Sequence, residues 1–532
     1  MAIITVKFAR RRSWRRGVRP IASAVGTIVL ACGPGASASL AAEWRFTPTI
    51  NLSETYSDNV RSATRGNEES DFVTQISPGF TLTNDGPRLQ VRASYALQAL
   101  LYASSDTSPS LSNLLDASVR GMLVRDLLYF DARGSIGQQN ISAFGTQSSN
   151  NINVNPNRAE VRTYSVSPYL VRRFNDVATA QLRYTHESFG TSSVDNTTSN
   201  LISNNNVDRV GMVINSGPAF RMLSWGAEAS TERNNFSSLD SVRRSNVSGN
   251  TGYVLNPALR LTATLGYENE TYDTPGDQPQ GVYYNGGFVW TPNPRTNITA
   301  TAGRRYFGDT FALAASHRSR RTILSVNYNE DVTTSQAQFI GISRVNTSDL
   351  LNQLYADRIP DPAARQRVID AIILQAGLPS GLSVPVNAVT NRYFLQKTLQ
   401  ASAALSGRRS TMVGTLFNTR REATSSQQSQ GPLLGSQLSA LEDNSRQFGA
   451  TALWNLQISA RSSANADVSY TRSEAVAANQ SSTTKTARMA LSTAFQPKLR
   501  GNLEYRRSQQ DSDFLGGDVR ENAVTASLLM QF

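Results

Sequence analysis

From Arg45 to the C-terminus, segment after segment of about 10–14 residues alternates apolar with polar side chains. Alternation puts every apolar side chain of a strand on one face. Leu89, Val91, Ala93, Tyr95, Leu97, Ala99 and Leu101 form one such row, and Gln90, Arg92, Ser94 and Gln98 lie between them. Leu261, Ala263, Leu265 and Tyr267 form another, as do Phe448, Ala450, Ala452, Trp454 and Leu456. Soluble strands usually stop after five or six residues. These are long enough to match the 9–11 tilted residues that cross a bilayer. A soluble β-solenoid would need a short sequence repeat, and none is present.

Lipid is a severe solvent for backbone. Only a helix or a closed barrel pairs every N–H and C=O within it. No apolar run of the roughly 20 residues that a spanning helix needs occurs beyond the first forty residues. The expected fold is therefore all-β: a transmembrane antiparallel outer-membrane β-barrel filling residues 43–532. The connections support it. Short turns at 84–88, 124–126, 172–176, 221–224, 256–259, 291–295, 406–410, 459–463 and 496–499 are rich in Asn, Asp, Pro, Gly and Arg. Between them lie longer polar stretches at 57–70, 138–160, 187–206, 232–246, 271–280, 420–446 and 472–485. Strict alternation of short and long connections is the habit of outer-membrane barrels.

Strand number follows from parity, because both ends of a bacterial barrel normally face the periplasm. Counting forward from Arg45 gives fourteen strands ending near Tyr328, and counting back from Phe532 gives seven. The segment 332–342 supplies one more, for about 22 strands. Its alternation is poor, so 20 is the alternative count. No plug-sized globular segment precedes the first strand.

One insert, 344–391, breaks the pattern. Asp361 and Pro362 open a helical stretch to about Ala376, with Val368, Ile369, Ile372 and Ile373 as its apolar stripe and Gly377 and Pro379 at its end. A second short helix is expected at 349–356. By parity the insert leaves the barrel on the outer side, where it either folds into the lumen or caps the surface.

Residues 1–42 have the order of an export signal: a basic stretch to Arg19, an apolar stretch from Ile21 to Cys32, and small residues to Ala42. Cleavage is expected after Ala38, Ala41 or Ala42. A lipoprotein-type processing site at Cys32 is the rival reading. A twin-arginine signal is the other, and it fits poorly because that route carries folded cargo. The segment contains seven basic residues and no acid, so the remainder of the chain holds +5 of the formal +12. That removes the apparent nucleic-acid signature, and no nucleic-acid partner is expected. Cys32 is the only cysteine, so a chain cleaved downstream has no disulfide or thiolate metal site.

The last residues run Val524, Ala526, Leu528, Met530 and Phe532 along one face and end on an aromatic. This row resembles the terminal signal by which the barrel-assembly machinery recognises its clients. Outer-membrane lipid is the other partner the pattern implies.

The chemistry on offer is sparse. His186 and His317 are the only histidines, and neither stands at a recognisable nucleophile or metal spacing. No catalytic residues, metal ligands or cofactor are expected. If the apolar rows face lipid, Arg92, Arg120, Arg133, Arg183, Arg305, Arg321, Arg488 and Arg506 face the lumen. Inward acids are Asp116, Asp131, Glu228, Glu268, Asp467 and Glu504. Rings of such charge tune pores. The slight positive excess implies a lumen favouring anionic solutes, unless the arginines only pair with neighbouring acids.

The stretches Glu43-Trp-Arg-Phe-Thr-Pro-Thr-Ile-Asn-Leu-Ser-Glu-Thr-Tyr-Ser-Asp-Asn59 and Ser70-Asp-Phe-Val-Thr-Gln-Ile-Ser-Pro-Gly-Phe80, with Tyr328-Asn-Glu-Asp-Val-Thr-Thr-Ser335, resemble the PEP-CTERM system-associated outer-membrane family. The resemblance implies a Gram-negative outer-membrane β-barrel accompanying exopolysaccharide production and the exosortase sorting system. It implies polysaccharide export components as partners and brings no catalytic residues. The function expected is a porin-like conduit or accessory in exopolysaccharide or cell-envelope export. A structural or adhesive surface barrel is the alternative, and an outer-membrane hydrolase is disfavoured by the missing constellation.

Overall fold

The structure, a computed structural model, describes residues 44–104, 108–148, 150–193, 204–236, 241–272, 274, 278–340, scattered positions between 351 and 369, 392–425, 441–514 and 518–532. The expected export signal and Cys32 lie outside the described residues.

Alternation produces the strands it predicts. There are 22: β1 (Arg45–Ser57), β2 (Asp71–Asp85), β3 (Leu89–Tyr102), β4 (Ser110–Val124), β5 (Leu128–Asn140), β6 (Arg158–Phe174), β7 (Ala178–Ser193), β8 (Asn205–Ser216), β9 (Leu223–Phe236), β10 (Val242–Asn256) and β11 (Leu259–Glu270). Then follow β12 (Gln280–Asn293), β13 (Thr296–Arg305), β14 (Gly308–Arg318), β15 (Thr322–Thr334), β16 (Tyr393–Ser406), β17 (Ser410–Ala423), β18 (Asn444–Gln457), β19 (Ser462–Ala475), β20 (Gln480–Gln496), β21 (Leu499–Ser512) and β22 (Val519–Gln531). Each pairs antiparallel with the next. β1 pairs with β22 from Thr49↔Gln531 to Ser57↔Ala523, so no edge is left open. Closure is what removes the unpaired backbone that lipid does not tolerate.

Register assigns the two faces. Phe46, Ile50, Leu52 and Tyr56 of β1 lie opposite Leu82, Pro78, Ile76 and Phe72 of β2 on the outside. The same row continues through Leu265, Leu416, Val468 and Leu503, each more than half exposed. A continuous apolar exterior of this size is untenable in water and is satisfied by acyl chains. From Phe46 to Tyr56 the row spans about 33 Å along the strand, or about 25 Å along the normal at the usual tilt. Trp225, Trp290 and Trp454 stand on the outward rows near the periplasmic ends, and Tyr284, Tyr328, Tyr470 and Tyr505 stand nearer the outer ends. Such aromatic girdles mark the two interfaces. The chain is an outer-membrane barrel.

The total of 22 is reached differently from the sequence count. Fifteen strands, not fourteen, precede the insert. The described part of 332–342 is not a further strand: Val332–Thr334 finishes β15, and α1 (Ser335–Ile340) follows. The alternation of short and long connections also fails at β13–β14, joined on the outer side by Tyr306 and Phe307 alone, with Gly308 at φ +118° making the reversal. Neither connecting residue is of a usual turn type. The stretches 232–246 and 472–485, expected as loops, are mostly strand, because ladder pairing continues past the membrane whatever the side chains are. On the periplasmic side Asp126 and Asn175 take positive φ in tight turns, as their residue types allow.

Candidate functional site: the lumen

The inward rows of β3, β4 and β5 are polar and open. Arg92, Ser94, Asp116, Ser118, Arg120 and Arg133 are exposed to the interior. Most of the expected lumen arginines are held by acids on neighbouring strands. Arg120 and Arg183 share Asp131 at 3.5 and 3.1 Å. Arg183 also lies 3.9 Å over the ring of Tyr169, itself stacked on Tyr129. Arg305 binds Glu268 at 2.6 Å and Asp331 at 2.9 Å. Arg488 bridges Asp467 and Glu504 at 2.6 and 3.4 Å. Arg506 meets Glu521 at 3.2 Å and Arg92 meets Asp85 at 3.3 Å. Arg133 faces the lumen between Ser118 and Ser165. Arg321 is a correction: it sits in the short turn between β14 and β15, because β15 begins only at Thr322. Among the described residues, six of the eight arginines thus lie against acids.

Two segments enter this space. The first is the β5–β6 connection. The Ser142 hydroxyl and the Ala143 N–H both donate to one oxygen of Glu442, at 2.9 and 2.8 Å. Gln147 N–H donates to Gln510 of β21, Asn153 to Glu521 of β22, and Asn151 to Gln98 of β3, at 2.7–2.8 Å. The loop therefore reaches strands from β3 to β21. Phe144 and Ile152 are buried within it. Gly145 lies so close to Asn157 that a Cβ would meet its side chain at 2.4 Å. The sequence did carry a signal for this segment. Asn151, Asn153, Asn155 and Asn157 alternate with Ile152 and Val154, a pattern unlike turn chemistry.

The second is the insert between β15 and β16. α1 touches β6 and β7 as well as β15, so it reaches strands well around the barrel. Its Gln338 accepts a hydrogen bond from Arg421 of β17 at 2.8 Å. Within 344–391 the described helical positions are 351, 352, 355, 364–366, 368 and 369. Asp361 accepts from the Ala364 N–H at 3.3 Å, as an N-cap does. Ile369 is buried and Val368 is not; Ile372 and Ile373 lie outside the described residues. Asn352 and Arg365 line a cavity of about 330 Å³ with Arg295, Asn297, Arg318 and Ile323, which belong to the periplasmic end of β12–β15. The insert joins the barrel at its outer end. A path to these residues outside the barrel would cross lipid, so the described insert residues lie in the lumen and do not cap the surface.

The wall next to it is filled. Ala404, Val413, Thr415, Phe417, Thr419, Leu453 and Gln447 face inward on β16–β18 and are buried from one end to the other. Only two strands from β16, on β14, the inward Ala312, Ala314 and Ser316 are exposed. A further cavity of about 310 Å³ lies beneath the tip of the β5–β6 loop, lined by amides and hydroxyls that include Asn51, Gln75, Gln98, Asn151 and Asn502, with the Glu504 carboxylate among them.

At the outer rim Tyr272 stacks on Tyr393 with centroids 4.5 Å apart, and Tyr306 donates to Glu270 at 3.1 Å. Burial first, and the Glu270 charge second, push both loop phenols, Tyr272 and Tyr306, up, so they stay protonated donors.

Both histidines make local hydrogen bonds. His186 Nδ1 lies 2.8 Å from Asp208, and the Tyr184 hydroxyl donates to the same carboxylate at 2.7 Å, all on the outward face. Ser188 is two residues along that face, and no hydrogen bond joins it to His186. His317 meets the Thr296 hydroxyl at 2.8 Å near a periplasmic turn. Among the described residues no group of three or more His, Cys, Asp or Glu could hold a metal ion. Val524, Ala526, Leu528, Met530 and Phe532 share the outward side of β22 and the chain end. The Phe532 N–H donates to Pro48 O at 3.0 Å, which ties the C-terminus to β1.

No protein-family model matches the chain. No curated protein matches it either. Among solved structures, the chain is similar to the siderophore receptor PirA from Pseudomonas aeruginosa at 11% identity, over 92% of this chain and 80% of that one, with a TM-score of 0.46. It is similar to the FrpB iron transporter from Neisseria meningitidis (F3-3 variant) at 10% identity, over 91% and 82%, with a TM-score of 0.49. The ferric enterobactin receptor PfeA in complex with BCV-L6, also from Pseudomonas aeruginosa, is similar at 12% identity over 91% and 81%, with a TM-score of 0.44.

Proposed function

We propose that this outer-membrane barrel is a restricted passage for a neutral, hydroxyl-rich solute or polymer, of the kind an exported polysaccharide presents. The observation that carries the reading is the half-open lumen: β3–β5 and β14 offer a wet face while β16–β18 are covered. Paired arginines and acids leave little net field to select ions. Amides and hydroxyls around the cavity under the β5–β6 loop match the donors and acceptors of a sugar. The resemblance to the PEP-CTERM system-associated family supports the polysaccharide context and polysaccharide export components as partners. The row ending at Phe532 supports recognition by the barrel-assembly machinery. The insert and the β5–β6 loop would restrict the path.

The same two crossing segments favour a second reading, a closed structural or adhesive barrel. Planar-bilayer recording separates the two. Discrete conductance with weak anion–cation selectivity supports the passage; a silent barrel rejects it.

A further inference from the structure

Outside the lumen, one wall of the barrel is layered by charge. Along β17 the outward row runs Met412, Gly414, Leu416, Asn418, Arg420, Glu422. Along β19 it runs Val468, Tyr470, Arg472, Glu474, and along β21 Leu503, Tyr505, Arg507, Gln509, Asp511. β18 adds Phe448 then Arg446, and β20 adds Ala487 then Lys485. Each of these five neighbouring strands places a cation just beyond its apolar or aromatic row. Where an acid follows, it lies farther out. The outward rows of β1–β5 hold no Lys or Arg at all.

Register sharpens the point. Lys397, Arg420 and Arg446 stand directly opposite one another on β16, β17 and β18. Like charges in that position destabilise a sheet. Arg420 and Arg472 do meet Glu422 and Glu474, at 2.8 and 2.9 Å, and Lys485 meets Asp511 at 3.5 Å. All three pairs are about one-third to three-fifths exposed, and such pairs are worth little and exchange readily. Arg446 spans Asn418 and the face of Phe448.

Two cavities lie on this wall. One of about 710 Å³ is lined by Asn418, Arg420, Arg446, Arg472 and Glu474. The other, of about 620 Å³, is nearer the middle of the strands. Ala401, Ala403, Gly414, Ala450 and Ala452 leave a low apolar furrow there beside Leu416. Both involve β17–β19, and the basic one lies outward of the greasy one.

We infer that this wall binds an outer-leaflet lipid with a phosphate-bearing headgroup, its phosphate held by Arg420, Arg446 and Arg472 and an acyl chain laid in the furrow. Guanidinium forks match phosphate oxygens, and the anion relieves the opposed cations. Continuity with the furrow favours a lipid over free phosphate.

The test is native mass spectrometry of the full chain in mild detergent. The probes are a bis-phosphorylated acylated disaccharide, its dephosphorylated counterpart, and inorganic phosphate. Wild type should retain the phosphorylated lipid and release the dephosphorylated one. R420Q/R446Q/R472Q should retain it on the order of a hundredfold less, the summed surface-charge contribution of three arginines. The triple lysine variant should retain most of it. Gly414→Leu, whose Cβ would meet only Thr451 O at 3.8 Å, should fill the furrow and lose the lipid with all three arginines in place. R233Q/R243Q, on the outward rows of β9 and β10, should change nothing. Unheated-gel mobility confirms that each variant is a folded barrel. Equal retention by the glutamine triple, equal binding of the dephosphorylated lipid, displacement by inorganic phosphate, or equal loss in R233Q/R243Q would each overturn the assignment.

Discussion

The inner faces of β3–β5 and of β16–β18 obey the same alternation and end in different surroundings. Ser118, Arg120 and Arg133 stand in open lumen. Val413, Thr415 and Thr419 are 2%, 3% and 1% exposed. Alternation decides which residues turn away from lipid, but not whether they meet water. The inward rows differ in chemistry too. On β4 the row is Asp116, Ser118, Arg120; on β17 it is Val413, Thr415, Phe417, Thr419. Large apolar residues on the inward row, Val413 and Phe417, go with the covered wall, whereas the small inward Ala312 and Ala314 of β14 stay open.

Removing the cover is the strongest test of that contrast. Replacing 344–391 by a short linker should raise single-channel conductance several-fold, and it should make cysteines placed at Val413 and Phe417 reactive to aqueous reagents. Unchanged conductance and labelling would mean that the insert does not cover this wall.

The next effect centres on Glu442, buried near Arg421 and holding the β5–β6 loop through Ser142 and Ala143. Glu442→Ala leaves the buried Ser142 hydroxyl and Ala143 N–H without their acceptor and should cost about 2–6 kcal/mol in urea unfolding, at about 1–3 kcal/mol for each orphaned donor. The loop should then open to protease. A loss under 1 kcal/mol, with the loop still protected, would show that the tether is idle. Acid should not mimic the mutation. Burial pushes the Glu442 carboxyl up, against the opposing pull of Arg421 and its hydrogen-bond donors. A raised carboxyl favours folding most when protonated, so its burial cost falls as pH drops through that raised value. Loop protection should therefore hold or increase between pH 7 and pH 5, and Glu442→Gln should flatten the trend. Loss of protection on acidification would reverse the sign.

Smaller still is the difference between outside and open inside. Leu416→Arg, on the lipid row, should destabilise by about 2–4 kcal/mol, whereas Ala314→Arg, on the open inner face, should cost almost nothing and alter ion selectivity. Equal costs in folding assays would erase the distinction between the two faces.

Much of this was legible in the residues. Period-2 rows and the terminal aromatic point to a closed lipid-facing barrel, because lipid admits so few backbone solutions. The outer strand ends were harder to see. Arg472–Ala475 and Gln480–Lys485 are polar on both faces, so they look like loop, yet they pair as strand beyond the membrane. The Tyr306–Phe307 turn was hidden because two aromatic residues do turn work with help only from Gly308. Ion pairing was the other gap. Sequence places Arg183 and Asp131 in the lumen, but only register brings them 3.1 Å apart. The β5–β6 loop looks in sequence like any longer polar stretch; in the fold Asn151 and Asn153 are hydrogen-bond partners of Gln98 and Glu521 on distant strands.

Native tryptophan fluorescence in brominated-lipid vesicles tests the central proposition most directly. Trp225, Trp290 and Trp454 all stand on outward rows near one interface. Acyl-chain bromine should quench them strongly while aqueous acrylamide quenches them weakly. Emission untouched by bromine and open to acrylamide would place those rows away from lipid and contradict the barrel.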